Sequence, residues 1–95
     1  MTKSDLVQEI AKSTGFEKTT VTSIVEDMME QVKTSMIKGE NIYLRGFGTF
    51  LCKKRAEKTA RNISKNTSII IPAHYIPKFK PAPEFTDAVA EKVKD

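Results

Sequence analysis

Apolar side chains recur at helical spacing through the first forty residues and at strand spacing through the next forty. Leu6, Val7, Ile10 and Ala11 fall at i, i+1, i+4 and i+5, one stripe of a 3.6-residue period. Thr2 with Asp5 three positions later is a capping pair for the start of that helix. Thr14-Gly15 ends it, because glycine readily takes the left-handed conformation that follows a helix. Phe16 opens the second segment as an expected anchor in the helix–helix corner. Val21, Ile24, Val25, Met28, Val32 and Met36 trace a second stripe, with Glu26, Asp27, Glu30, Lys33 and Lys38 mostly off it. Gly39 stops this helix. The pair reads as an αα-hairpin over residues 3–38.

At Asn41 the period drops to two. Ile42 and Leu44 alternate with Tyr43 and Arg45, Gly46-Phe47-Gly48 is a turn, and a second strand runs from Thr49 to about Glu57. Phe50 and Cys52 share one face of it; Leu51, Lys53 and Arg55 share the other. Residues 58–68 have no regular apolar pattern, and Ser64-Lys65-Asn66 is turn chemistry. Ser68 to Ile71 returns as a strand broken by Pro72, and Ile76 to Lys80 is a further extended piece with Pro77 at an edge or bend. Pro83 suits the first turn of a last helix, whose Phe85, Ala88, Val89 and Val93 would face inward. The fold class is α+β: a helical hairpin, a small antiparallel sheet extended into a two-stranded arm, and a short C-terminal helix. All 95 residues are expected in one domain, with residues 1–40 helical, 41–80 sheet and arm, and 81–95 the last helix.

Charge changes this picture. Residues 41–80 carry nine basic side chains against the single acid Glu57, a net of +8, while the flanking segments are each at −2. Concentrated positive charge on one element is the footprint of a polyanion partner, most often nucleic acid. A run of charge on a merely solvated face would mix its signs more evenly. No nucleophile–base pair or metal-ligand spacing accompanies it, so neither enzyme chemistry, nor a cofactor, nor a metal, nor a small-molecule substrate is expected. Cys52 is the single cysteine, suited to a reducing compartment, and reads as a small buried hydrophobe. His74 reads as structural or as a minor phosphate contact. The Met-Thr-Lys-Ser-Asp start lacks the apolar stretch of a signal peptide, and no apolar run approaches a membrane span. A cytoplasmic, nucleoid-associated location is therefore expected, with no membrane partner.

From Arg55 to Ile71 almost nothing asks for burial except Ile63, Ile69, Ile70 and Ile71, so this stretch reads as a ribbon leaving the body. The remaining body of about 70 residues is thin for a monomer. Yet Phe47, Phe50, Phe79 and the Met-rich second helix supply many large apolar groups. A dimer sharing one core resolves the mismatch.

These residues make up a pattern. The chain resembles the bacterial HU/IHF family of DNA-bending proteins over essentially its whole length. The resemblance is carried by Lys3-Ser4-Asp5-Leu6-Val7, Gly46-Phe47-Gly48-Thr49-Phe50, Arg61-Asn62, Ile71-Pro72-Ala73 and Ile76-Pro77-Lys78-Phe79-Lys80-Pro81. It implies an intertwined homodimer or heterodimer whose two arms wrap the minor groove of double-stranded DNA, with an apolar residue at each tip wedged between base steps. It assigns DNA contact to Arg45, Lys53, Lys54, Arg55, Lys58, Arg61, Asn62, Ile63, Lys65, Lys78 and Lys80. It assigns the dimer core to Val25, Met28, Val32, Met36, Ile42, Leu44, Phe47, Phe50 and Phe79. The chain departs from the family at the tip: Ile63 stands where proline is usual and Asn66 where glycine is common.

Three other readings compete. One is a site-specific bender like integration host factor, working in a heterodimer. Another is an interaction module whose basic ribbon meets RNA or an acidic protein. The third is a groove-reading helix-turn-helix, which the acidic second helix argues against because it lacks the side chains that read base edges. Phe47, Phe50 and Phe79 could also stack on bases, but their spacing suits inward strand positions.

Overall fold

The computed structural model describes residues 1–62 and 67–94. Its elements are α1 (Lys3–Thr14), α2 (Lys18–Ile37), β1 (Ile42–Leu44), β2 (Gly48–Arg55), β3 (Lys58–Asn62), β4 (Thr67–Ile71), β5 (His74–Pro81) and α3 (Pro83–Lys92), an α+β fold. They fall into two compact units, residues 1–35 and 36–95.

In the first unit the capping pair forms a complete capping box. The Asp5 amide donates to Thr2 Oγ1 at 3.2 Å, and the Thr2 amide donates to Asp5 Oδ2 at 3.0 Å. At the other end Gly15 sits at φ 82° and its amide reaches the Ala11 carbonyl, an αL stop. Val7 and Val21 are buried, at 6% and 2% exposure. An exposed ion pair between Lys3 and Glu26, 3.1 Å long, ties the two helices together at their surface. Phe16 is 61% exposed, so it does not anchor the corner; Gly15 completes the turn by backbone conformation and asks nothing of that ring. Leu6 likewise leaves the stripe half-exposed.

The capping box gives the first unit an acid limit. The Thr2 amide, and after it the Thr2 hydroxyl, hold the Asp5 carboxyl below its ordinary value. A carboxyl depressed by folding contributes stability above its unfolded pKa, and that contribution is lost as pH falls through the folded value. The melting-temperature gap between the parent and Asp5→Asn is therefore expected to narrow as pH drops from about 5 to about 3, read by circular dichroism.

The second unit holds two sheets. β1, β2 and β5 form an antiparallel sheet in the order β1-β2-β5, and β3 pairs with β4 by itself. The ribbon is not continuous. Ala56-Glu57 interrupts the outgoing strand, which ends at Arg55 and not at Glu57, directly across from Pro72-Ala73 on the return. Proline cannot donate to a ladder, so pairing stops there and resumes beyond it as a separate arm. The turn into β2 closes with the Phe47 amide on the Leu44 carbonyl at 3.0 Å. Gly46, at φ 82°, occupies the third position, where a type II turn requires positive φ.

Four phenylalanines gather beneath the three-stranded sheet. Phe79 is central, with ring centroids 4.9 Å from Phe50, 5.1 Å from Phe47 and 6.5 Å from Phe85; Phe47 and Phe85 stack at 5.5 Å. The expected inward face of α3 is realised through Phe85 alone. Val89 is 47% and Val93 73% exposed, and Val93 lies past the helix end as its C-cap. Cys52 is half-buried, not buried, and its thiol donates to the Met36 carbonyl at 3.3 Å. Its amide donates to Asn41 Oδ1 at 3.0 Å, so a side chain extends the ladder just ahead of the first residue of β1.

Candidate nucleic-acid interface

The register of the sheet sorts the basic residues. Thr49 opposes Lys80, Leu51 opposes Lys78, Lys53 opposes Ile76 and Arg55 opposes His74. Because strand side chains alternate, these eight residues share one face. Phe50, Cys52, Phe79 and Pro77 occupy the other, with Ile42 and Leu44 brought alongside by β1. Lys53, Arg55, Lys78 and Lys80 therefore form one exposed cationic face, backed by the aromatic cluster that fixes the sheet. Lys54 is exposed on the opposite face, across from Tyr75.

Cations on this face stand close together. Lys78 and Lys53 are diagonal neighbours across β2 and β5, and Lys53 holds the Lys78 ammonium below the ordinary lysine range, first by side-chain contact and then by charge repulsion. The ion pairs Lys3–Glu26 and Lys33–Glu30 both lie on the helices, away from β2 and β5. Like charges held together without an internal counter-ion attract an external anion. Arg45, exposed in the β1–β2 turn, lines a cleft of about 430 Å³ together with Lys80 and the first residues of α3.

Beyond the break, the arm sorts its residues again. Lys58 opposes Ile71, Thr59 opposes Ile70, Ala60 opposes Ile69 and Arg61 opposes Ser68. One arm face thus carries Lys58, Ala60, Ile69 and Ile71; the other carries Thr59, Arg61, Ser68 and Ile70. Ile69, Ile70 and Ile71 are 50%, 64% and 38% exposed, as expected for a two-stranded ribbon with no layer against it. The backbone of Asn62 ends β3 opposite Thr67. Ile63 and Lys65 lie outside the described residues.

The residues assigned to a dimer core are apolar and incompletely covered by their own chain. Val25, Val32, Met36, Ile42, Leu44, Phe50 and Phe79 are half-buried; Met28 is 49% and Phe47 45% exposed. On α3 and β5, Phe79, Pro81, Phe85, Val89 and Ala90 line an apolar groove of about 440 Å³.

His74, read from sequence as structural or as a minor phosphate contact, gains a location in the structure. Its register places it on the cationic face, opposite Arg55, where alternation from Lys80 and Lys78 through Ile76 would have pointed had the pairing been known. Gly48 was read as a turn residue, yet it is the buried first position of the central strand.

Known proteins share this arrangement. The family described as "Bacterial DNA-binding protein" matches residues 1–90. Integration host factor subunit beta of Shewanella amazonensis is 39% identical over 90 residues, covering 94% of this chain and 95% of that protein. DNA-binding protein HU of Thermotoga maritima is 36% identical over 94 residues, covering 99% of this chain and all of its own length. The solved cocrystal structure of Anabaena HU with DNA matches with a TM-score of 0.90 at 28% identity, over 95% of this chain and 98% of that one. With the family matched over nearly the whole chain and its fold reproduced, the chain belongs to the HU/IHF family of bacterial DNA-binding proteins, which are non-enzymatic, dimeric and architectural.

Proposed function

We propose that this chain pairs with a second copy, or with a homologous subunit, and bends double-stranded DNA with low sequence specificity, so compacting the nucleoid. The observation that carries this reading is the single cationic face of Lys53, Arg55, Lys78 and Lys80, which leads to an arm bearing Lys58 and Arg61. Phosphates lie along that face and along Arg45 at its margin, while Lys54, on the opposite face, contributes less to the contact. Arg61 and Asn62 enter the minor groove, with Lys65 beside them, and Ile63 wedges between base steps. The minor groove distinguishes mainly A·T from G·C, so the deformability of the DNA sets the preference among sites. A second chain covers the half-exposed Val25, Met28, Val32, Met36, Ile42, Leu44, Phe47, Phe50 and Phe79 and completes the core. Such coverage accounts for a chain in which Val7 and Val21 are the buried apolar residues among those described. No described helix is long and apolar enough to cross a membrane.

The wedge is tested by bending. Unstacking a step costs a few kcal/mol and is repaid by wrapped contacts. Ile63→Ala is expected to reduce the bend angle, read by FRET between the ends of a short duplex, by more than it reduces affinity. An unchanged angle removes the wedge role.

A second reading is favoured by the 39% identity to integration host factor subunit beta. In it the chain serves as one half of a heterodimeric, site-selective bender. Competition by sequence-scrambled duplexes, with the mass of the free protein measured alongside, separates the two readings. Equal competition by scrambled DNA supports the low-specificity homodimer.

A further inference from the structure

Where the three-stranded sheet gives way to the arm, Arg55, Ala56, Glu57, Lys58, Ile71 and His74 line a cleft of about 560 Å³. Two permanent cations against one carboxylate leave it at +1, and a proton on the imidazole doubles that charge. The tautomer is fixed by geometry. His74 Nδ1 lies 2.9 Å from the Pro72 carbonyl oxygen. A carbonyl only accepts, so Nδ1 carries the hydrogen and donates it. The other nitrogen, Nε2, is then a bare lone pair when the ring is neutral. A phosphate oxygen also only accepts, so neutral His74 has nothing to offer it. Protonation at Nε2 turns the same ring, already oriented by Pro72, into a charged donor.

We infer that His74, with Arg55 and Lys58, forms a proton-dependent phosphate site at the base of the arm, so that the grip on DNA tightens as pH falls. This rests on the DNA-binding reading above and adds to it a titratable ligand. The groups facing the ring are Arg55 across the strand pair, Lys53 and Lys78 farther along the same face, and Lys58 and Glu57 from the outgoing chain. None of those neighbours ordinarily changes charge between pH 5.5 and 8, whereas histidine does. The position suits control of the arm, because pairing is interrupted here on both strands and a phosphate held in the cleft bridges the sheet and the arm.

The test is the duplex dissociation constant of the full-length protein, by fluorescence anisotropy, from pH about 5.5 to about 8 at one fixed ionic strength. An opposite charge in contact shifts a titration by roughly 1–3 units, so binding is expected to be about tenfold tighter at the acid end for each arm engaged. His74→Ala should bind with the weaker affinity at every pH. His74→Lys should bind tightly throughout, with the pH dependence gone. Persistence of the full pH dependence in His74→Ala overturns the assignment, as does pH-independent binding by the parent protein. Failure of the parent to bind duplex at any pH defeats the architectural reading itself, and is distinguishable because the first two outcomes leave binding intact.

Discussion

Raising monovalent salt from about 50 to about 200 mM is expected to weaken duplex binding by roughly 10³–10⁵-fold, the loss that accompanies about 6–10 phosphate contacts. Each neutralised phosphate releases condensed counterions, and the logarithm of the affinity falls by roughly 0.9 per contact for each logarithmic unit of salt. Lys53, Arg55, Lys78 and Lys80 on the sheet face, with Lys58 and Arg61 on the arm, give two chains enough cations to reach that range. The repulsion between Lys53 and Lys78 adds a reason for the site to be filled, since a phosphate between two ammonium groups relieves it. Register makes the expectation sharper than a count of charges. Lys53→Gln should flatten the salt slope by about one unit per engaged chain, whereas Lys54→Gln, on the opposite face, should change it much less. A titration in which the two substitutions flatten the slope equally would show that the sheet face is not the one meeting DNA.

Adjacent lysines of the same charge thus have different expected effects, and the difference was visible only in part from sequence. Alternation alone put Lys53 and Arg55 together and away from Phe50 and Cys52. It could not say which residues of the return strand join them, because register depends on where pairing begins. With Arg55 set opposite His74, the stripe of Lys80, Lys78 and His74 appears on the same face. Without that pairing, His74 is a lone histidine beside a tyrosine. Local signals were legible for a physical reason: Thr2 with Asp5, Gly15, Pro72 and Pro83 act on their own backbone within a turn or so, whatever the rest of the chain does. The interruption at Ala56-Glu57 was not legible, since neither residue breaks a strand and the cause sits across the ladder at Pro72. Phe16, Val89 and Val93 were assigned inward from their hydrophobicity, which says that a side chain prefers cover and not that its own chain supplies it. If a second chain covers these residues, as proposed above, periodicity finds the apolar face but not the molecule it faces.

Gly48 is the position at which a single methyl group is expected to cost most. It starts the central strand, buried, with Leu44 of β1 on one side and Pro81 of β5 on the other. A Cβ placed there would stand 2.6 Å from the Lys80 carbonyl oxygen and 2.6 Å from the Phe79 ring. Backbone cannot swing aside as a flexible side chain can, and Phe79 is held by Phe47, Phe50 and Phe85 at once. The strain must therefore be taken up by separating β2 from β5 or by displacing the keystone of the aromatic cluster. Overpacking a tight site costs typically 1–3 kcal/mol, and with a main-chain clash added Gly48→Ala is expected near the top of that range, about 3 kcal/mol. At roughly 4–8 °C per kcal/mol for a domain of this size, the melting temperature should fall by about 12–24 °C, compared at equal protein concentration because folding is linked to pairing. Gly46→Ala is the matched control. There a Cβ meets only Glu84 Oε1 at 3.7 Å, and the cost is that of positive φ alone, about 1–2 kcal/mol. Gly48 itself lies at φ 159°, so its variant bears backbone strain and clash together, and calorimetry reads the steric part as the loss beyond that of Gly46→Ala. A Gly48→Ala protein that melts no lower than Gly46→Ala would mean that the close approach of β5 to β2 is not what the glycine is there to permit. Because the same strand pair aligns Lys53, Arg55, Lys78 and Lys80, the destabilised variant should also lose duplex affinity at temperatures where the parent still holds it.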